Sequence, residues 1–420
     1  MDSNGVLSHD RAGAEVVLGL SRGQEHHFSE FANAAPYRVV LDSTWDPGIV
    51  DDLRPVVVIT LADGWYESDR CTDRAAALGI PTLMLMDGIL EWRHQWEDPS
   101  MGNGCGIPYL LPVRCDRVAC LGRQSVRLLE AWGNMHRCEL VGAPRFDHLL
   151  MQPLRPAATA GRRSLLIATA NRPAYTEAQW RRVAESLTDL GCALRRRPDW
   201  MPQWRVCRRL QSELSGLIGT PQAVVPPLRL ALEQSHAVIT TPSTLQLEAM
   251  LAGRPTAVLD YTNSPQYVQA AWTISAPDHL VPVLDDLALP SPARMLHQRV
   301  LLSDCLSCES PAAPRLAALV EAMAEAGAEC RRLGVPLHIR WPILPRDVVG
   351  CEPVQNLRLA ELFPGNDVLQ CESRLRLQLS VLAARLEVAA TRRTLRGTSL
   401  LRRAMCRLGG LRDDRGAAAR

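Results

Sequence analysis

The chain has 420 residues, more than one compact core accommodates, so two domains with an appendage are expected. Its composition, 47% hydrophobic and 22% charged, is that of a globular protein, and a net charge of +2 lacks the basic excess of a nucleic-acid binder. All 47 basic residues are arginine, which excludes Schiff-base and lysine-nucleophile chemistry and leaves the guanidinium fork for phosphate.

The opening stretch "MDSNGVLSHDRAGAEVV" has no basic flank and no long apolar core, so no secretory signal is expected. No run reaches the roughly 18 apolar residues of a membrane span. The thirteen scattered cysteines therefore read as reduced thiols in a cytoplasm. Cys305 and Cys308 make a C-x-x-C without a second pair, which reads as two ordinary thiols rather than a zinc or redox site.

Apolar runs then alternate with helical stretches, the pattern of parallel α/β layers. Strands are predicted at "YRVVLD" (37–42), "PVVVIT" (55–60), "TLMLMD" (82–87), "RVACL" (117–121) and "CELVG" (138–142), with helices at 68–78 and 122–132. Residues 97–112 are rich in Gly and Pro and read as a loop, and 142–163 read as a linker. The pattern restarts with a strand at "SLLIATA" (164–170) and a capped helix at 176–191 ending at Gly191. A strand at "CALRRRP" (192–198), a helix over about 204–217 and a short strand near 222–225 follow, then strands "HAVITT" (236–241) and "TAVLDY" (256–261). Two facing Rossmann-like domains are expected, at 1–150 and 151–310, with a helical extension at 311–420 and the ligand cleft between them. In the extension, 312–332 is an Ala-rich helix, and Leu375, Leu379, Leu382 and Leu386 form one apolar stripe. Residues 392–420 carry nine Arg against two Asp, a frayed tail or a foot on anionic membrane.

The stretch "ITTPSTLQLEAMLAGRPTAVLDY" (239–261) carries the clearest chemistry. A strand delivers the chain to a turn at Pro242, where Ser243 can cap the next helix. The free amides of that helix end, with the hydroxyls of Thr241, Ser243 and Thr244, suit a diphosphate. Glu248, four residues after Thr244, can accept hydrogen bonds from the ribose hydroxyls of a nucleotide.

This stretch resembles the donor-side motif of the GT-B glycosyltransferase superfamily. "VGAPRFDHLL" (141–150) resembles the Gly-x-Pro-Arg-x-Asp segment of its bacterial surface-polysaccharide members, the capsule, lipopolysaccharide and teichoic-acid enzymes. "GIPTLMLMDGILEWRHQW" (79–96) resembles their first-domain strand and turn. The resemblance spans about residues 37–275. It implies an α/β, GT-B-like fold and a nucleotide-sugar donor as substrate, with no cofactor and no metal. Two departures stand out: Asp87-Gly88 replaces the His-Gly of CDP-glycerol polymerases, and Asp199 replaces a His in "RRRPDW".

An inverting transferase needs a base for the acceptor hydroxyl, and Asp87, Glu91 and His94 are the candidates. Gly88 lets the chain turn at the cleft, and Trp92, with Trp96 four residues on, can present an aromatic face to a sugar. Arg172, Arg196 and Arg197 are candidates for stabilising the leaving phosphate. The nucleotide base is expected at the loop 224–228. The leading reading is a transferase acting on a surface-glycan or lipid-linked acceptor, cytoplasmic or peripheral at the inner face of the membrane. CDP-alditol phosphate transfer, the non-hydrolysing sugar-nucleotide 2-epimerase and a degenerate scaffold are the alternatives.

Overall fold

The computed structural model describes residues 14–62, 66–99, 110–154, 161–218 and 226–345. All of them belong to one compact unit of the chain. The first half contributes strands β1 (Val16–Leu20), β2 (Arg38–Asp42), β3 (Val57–Thr60), β4 (Thr82–Leu85), β5 (Arg117–Cys120) and β6 (Cys138–Leu140). Around them run helices α1 (Ser29–Ala34), α2 (Gly48–Leu53), α3 (Tyr66–Ala77), α4 (Arg123–Ala131) and α5 (Asp147–Met151). The second half contributes β7 (Arg163–Ala168), β8 (Trp200–Arg205), β9 (Ala237–Thr240), β10 (Thr256–Leu259) and β11 (Trp272–Ile274). Its helices are α6 (Glu177–Arg195), α7 (Arg208–Glu213), α8 (Ser215–Ile218), α9 (Leu228–Gln234), α10 (Leu245–Leu251), α11 (Leu280–Ala288) and α12 (Pro292–Cys305). The last described helix is α13 (Ala312–Leu333).

The strands form two parallel sheets, ordered β2-β1-β3-β4-β5-β6 and β11-β10-β9-β7-β8. Strands covered on both faces must be apolar on both, and this is why they stand out in the sequence as continuous Val, Ile and Leu runs. On the first sheet, Val17, Val57, Ile59 and Leu83 pack against Phe28, Phe31 and the α13 residues Leu316, Leu319 and Met323. Leu18, Leu20 and Val58 face the other way, toward Val50 of α2 and Cys71 and Ala75 of α3. On the second sheet, Leu165, Ile167 and Ile239 meet Val183, Leu187, Leu190 and Leu194 of α6, while Leu166 and Val238 meet Leu232 of α9 and Ala249 of α10. Each such large side chain contributes about 1.5–3 kcal/mol through burial.

Several expectations need correction. Among the described residues the two sheets have six and five strands, and β1, β8 and β11 are additional to those predicted. The helix expected to stop at Gly191 continues to Arg195, so 192–198 is not a strand. Its apolar stripe, Leu187, Leu190 and Leu194, runs through Gly191, where a Cβ would lie 2.4 Å from Leu217. The glycine serves close helix packing rather than termination. β8 occupies 200–205, where a helix was expected to begin; it is the sheet's edge strand, which is where Pro202 is tolerated. The expected linker contains α5, and Asp147 at its start accepts the Ala312 and Ala313 amides at 2.7 Å each, fixing the N-terminus of α13. Helix α13, read from the sequence as part of an extension, covers the first sheet. The predicted strand near 222–225, the Leu375–Leu386 stripe and the arginine-rich tail lie outside the described residues.

Candidate active site at the junction of the two sheets

In parallel sheets, ligands bind beyond the carboxyl ends of the strands, where the strand order reverses. In the second sheet that point lies between β7 and β9. There the Thr241 amide donates to the Ala168 carbonyl at 3.2 Å, and Thr241 Oγ1 accepts the Ala170 amide at 3.1 Å. The Thr240 and Ser243 hydroxyls lie 3.1 Å apart. The helix cap differs from expectation: Thr244, not Ser243, is the N-cap of α10, and it makes no side-chain capping bond. Its Oγ1 instead accepts the Ile89 amide of the first half at 3.2 Å.

The Asp87–Gly88 turn after β4 therefore meets the Thr240–Thr244 turn directly. A Cβ on Gly88 would lie 2.5 Å from Thr244 Oγ1, so only glycine permits the approach. Gly88→Ala is expected to cost about 1–3 kcal/mol by overpacking, and adding Thr244→Ala should restore most of it, read by urea unfolding of both variants. Equal costs with and without Thr244→Ala would show that the clash lies elsewhere.

A charge cluster around the buried Glu248 sits at this junction. Arg145, one residue after Pro144 in "GAPR", approaches Glu248 Oε1 at 3.3 Å, and its guanidinium stacks 4.4 Å over Phe146. Glu248 is 8% exposed. Burial pushes its carboxyl up, against the opposing charges of Arg145 and Arg205. Asp87 is likewise pushed up by burial, opposed by Arg145, by its own amide and by Gln24, whose Nε2 donates to Asp87 Oδ2 at 3.4 Å. Nearby His27 is held down to about 3, first by burial and then by Arg145 and His26, so it is neutral at physiological pH. Arg145, Arg205 and Gln24 went unnoticed in the sequence. "GAPRFD" is the sequence signal that points to Arg145.

The remaining residues of 89–98 are engaged by the second half. Glu91 accepts from Arg93 Nε at 2.7 Å and from the Tyr175 hydroxyl at 3.2 Å. Arg93, only 1% exposed, also lies 3.7 Å from Asp260. Burial raises the Glu91 carboxyl, with Arg93 and Tyr175 pulling the other way. His94 stacks on Tyr175 with centroids 5.4 Å apart, and burial keeps it below its ordinary value. Trp92 packs against Trp96 and Tyr267 at 5.9 and 5.8 Å, and Trp96 Nε1 donates to the Tyr267 hydroxyl at 2.8 Å. The two tryptophans thus build a shared aromatic cluster between the halves. Gln179 Nε2 donates to Glu97 at 2.5 Å, and Arg172 grips Asp98 through two contacts of 2.9 Å.

The structure thus brings Asp87, Gly88, Glu91, Trp92, His94, Arg172, Thr241, Ser243, Thr244 and Glu248 to one junction. It does not bring Arg196 and Arg197 there. Both follow the end of α6 and precede β8, at the amino edge of the second sheet; Arg197 pairs with Asp199 at 3.0 Å and Asp285 at 2.7 Å. Because 192–195 belongs to α6 rather than to a strand, the two arginines do not lie at a strand's carboxyl end. Of the expected base loop, only 226–228 lies within the described residues, where Pro226 O accepts from Arg205 at 2.9 Å. Among the described residues no group of three or more His, Cys, Asp or Glu is arranged to hold a metal ion, and no helix is long and apolar enough to cross a membrane.

No protein-family model matches the sequence, and neither does any curated protein. Solved structures do match. A Listeria monocytogenes protein provisionally assigned as a UDP-N-acetylglucosamine 2-epimerase aligns over 74% of this chain and 97% of its own, with a TM-score of 0.52 at 11% identity. The Neisseria meningitidis UDP-GlcNAc 2-epimerase, bound to UDP-GlcNAc, covers 74% and 99% with a TM-score of 0.51 at 10% identity. The chain has a GT-B-type fold. The S. aureus MnaA–UDP structure matches this GT-B architecture as well, covering 78% and 99% with a TM-score of 0.51 at 10% identity.

Proposed function

We propose that the protein binds a nucleotide-activated sugar at the junction of the two sheets and transfers the sugar to a hydroxyl of a surface-glycan or lipid-linked acceptor. The observation that carries this reading is the cluster of the buried Glu248 with the half-buried Asp87 and Arg145 at the meeting of two strand-end turns. In this reading residues 1–150 present the acceptor side and 151–310 the donor side. The arginine-rich sequence of 392–420 supplies peripheral contact with anionic membrane.

Glu248 accepts from the ribose hydroxyls, and Thr241, Ser243 and Thr244 receive the phosphates once the contact with Ile89 opens. Asp87 is the base: burial raises its basicity, and Arg145 keeps it ionised for proton abstraction. As its carboxylate takes the acceptor proton, the acceptor oxygen bonds the sugar's anomeric carbon and the bond from that carbon to phosphate breaks. In this reading Arg205 and Arg172 meet the charge on the departing nucleotide, while Arg145 acts through the two carboxylates. Glu91, committed to Arg93 and Tyr175, positions the 89–98 segment.

A second reading, a sugar-nucleotide 2-epimerase, is favoured by the gathering of Asp87, Glu91, Glu248 and Asp260 at the junction. The matched structures from N. meningitidis and S. aureus were solved with UDP-GlcNAc and UDP. Thermal-shift titration with UDP-, GDP-, CMP- and CDP-linked ligands tests both. Stabilisation by a nucleotide sugar is expected, and Glu248→Gln should weaken it about 10- to 100-fold, the worth of a hydrogen bond to a charged group. Product NMR then separates acceptor-dependent transfer from acceptor-independent inversion at C2. Stabilisation by CDP-alditols alone would replace sugar transfer by alditol-phosphate transfer. No shift with any nucleotide would leave the scaffold reading.

A further inference from the structure

We propose that Arg145 is a positioning residue whose charge holds the Glu248 carboxylate of the second half and the Asp87 carboxylate of the first in one prearranged pair. The proposal deepens the reading above, but its first test needs no ligand. Arg145 is built into a rigid corner. Gly142, at φ 96°, turns the chain away from β6, and its missing Cβ leaves room for the Ser307 carbonyl, which would otherwise lie 2.6 Å away. Two residues beyond Arg145, Asp147 is fixed by its two amide bonds to α13. The guanidinium so anchored lies over Phe146 and reaches Glu248 at 3.3 Å. Among the described residues, the other arginine acting on Glu248 is Arg205, whose Nη1 is bonded to the Pro226 carbonyl.

The groups facing this cluster are few. The segment after β1 brings Gln24, His26 and His27, the end of β4 brings Asp87, α10 brings Glu248 and the end of β8 brings Arg205. Burial raises both carboxyls and lowers both histidines, and Arg145 opposes the first effect and adds to the second. With Met in place of Arg145, the carboxyls titrate higher still. A carboxyl whose folded pKa lies above its unfolded value loses stability as pH rises between the two. The deficit of Arg145→Met is therefore small in acid, grows as pH rises and levels off above the new pKa values.

The experiment is urea unfolding of the wild type, Arg145→Met and Arg145→Lys between pH 4.5 and 8.5, repeated in a Glu248→Gln background. Arg145→Met is expected to lower the unfolding midpoint clearly at pH 8 and much less at pH 4.5, with Arg145→Lys, which keeps the charge, shifted less at each pH. In the Glu248→Gln background the pH-dependent part of the loss should shrink, which separates the carboxylate from the histidines. A loss equal at all pH values, or unchanged by Glu248→Gln, would make Arg145 a packing residue over Phe146 and overturn the proposal. Should Arg145→Met not fold, Arg145→Lys against wild type in the two backgrounds decides in the same way. Nucleotide titration of the folded variants follows: weakened binding at pH 8 with recovery in Arg145→Lys links the pair to the ligand, whereas an intact pair with no nucleotide binding would sink the functional reading alone.

Discussion

Arg93→Met lowers the unfolding free energy by about 3–5 kcal/mol, the loss that follows when one partner of a buried ion pair is removed. Arg93 is 1% exposed and sits between two carboxylates from different parts of the chain, Glu91 beside it and Asp260 after β10. Its removal leaves the buried Asp260 and the largely covered Glu91 without this counter-charge. Asp260 keeps the Thr262 amide and hydroxyl at 3.0 and 2.6 Å, and Glu91 keeps the Tyr175 hydroxyl, so the fold loses charge balance rather than every bond. The measurement is urea unfolding at pH 7. Adding Glu91→Gln should recover part of the loss, because a neutral amide tolerates the apolar neighbour better than a carboxylate does. A loss below about 1 kcal/mol, the range of exposed pairs, would mean that the contact contributes little to holding the halves together.

Asp147→Ala is the second large effect, about 2–4 kcal/mol, and it acts at the other end of the molecule's connectivity. The carboxylate accepts two amides of α13, Ala312 and Ala313, both in buried residues. Alanine leaves both donors without this acceptor, combining the loss of a helix cap with the desolvation of two N–H groups. The consequence reaches the site, because α13 buries Leu316, Leu319, Val320 and Met323 against the first sheet while Asp147 anchors the corner that carries Arg145. Asp147→Asn, which retains one acceptor oxygen, should cost less than alanine. Hydrogen exchange localises the effect: protection should fall first in the initial turn of α13. A variant as stable as the wild type would show that the cap is dispensable.

Much of the fold was legible because parallel strands covered on both faces leave continuous apolar runs in the sequence. The misses have physical causes. In β1 the run "VVLGL" is broken by Gly19, which is small because Leu41 and Phe28 crowd it: a Cβ would lie 2.6 Å from one and 3.0 Å from the other. β8, "WMPQWR", has proline and polar residues because it is an edge strand. Gly191 looked like a stop, but its meaning lies in Leu217, which no local pattern reveals. At the site, the turn and helix of 239–251 were readable as a unit. What escaped was everything contributed across the junction. Arg145 and Arg205 are two among 47 arginines, and only their placement beside Glu248 distinguishes them. Conversely, Arg196 and Arg197 looked suitable by type and lay at the wrong edge of the sheet.

The grip that residues 89–98 exert on the second half has a kinetic meaning. Ile89 on Thr244, Glu97 on Gln179 and Asp98 on Arg172 must part before a ligand can occupy the same atoms. Arrival is then gated: at high ligand concentration the observed association rate reaches a plateau set by how often the clasp lets go. If the proposed ligand requires the contacts to open, its apparent affinity is diluted tenfold for every 1.4 kcal/mol or so by which the shut form is favoured. A ligand with many good contacts can therefore register as a weak binder, and loosening the pair of Arg172 with the buried Asp98 would sharpen its apparent affinity without adding a single contact.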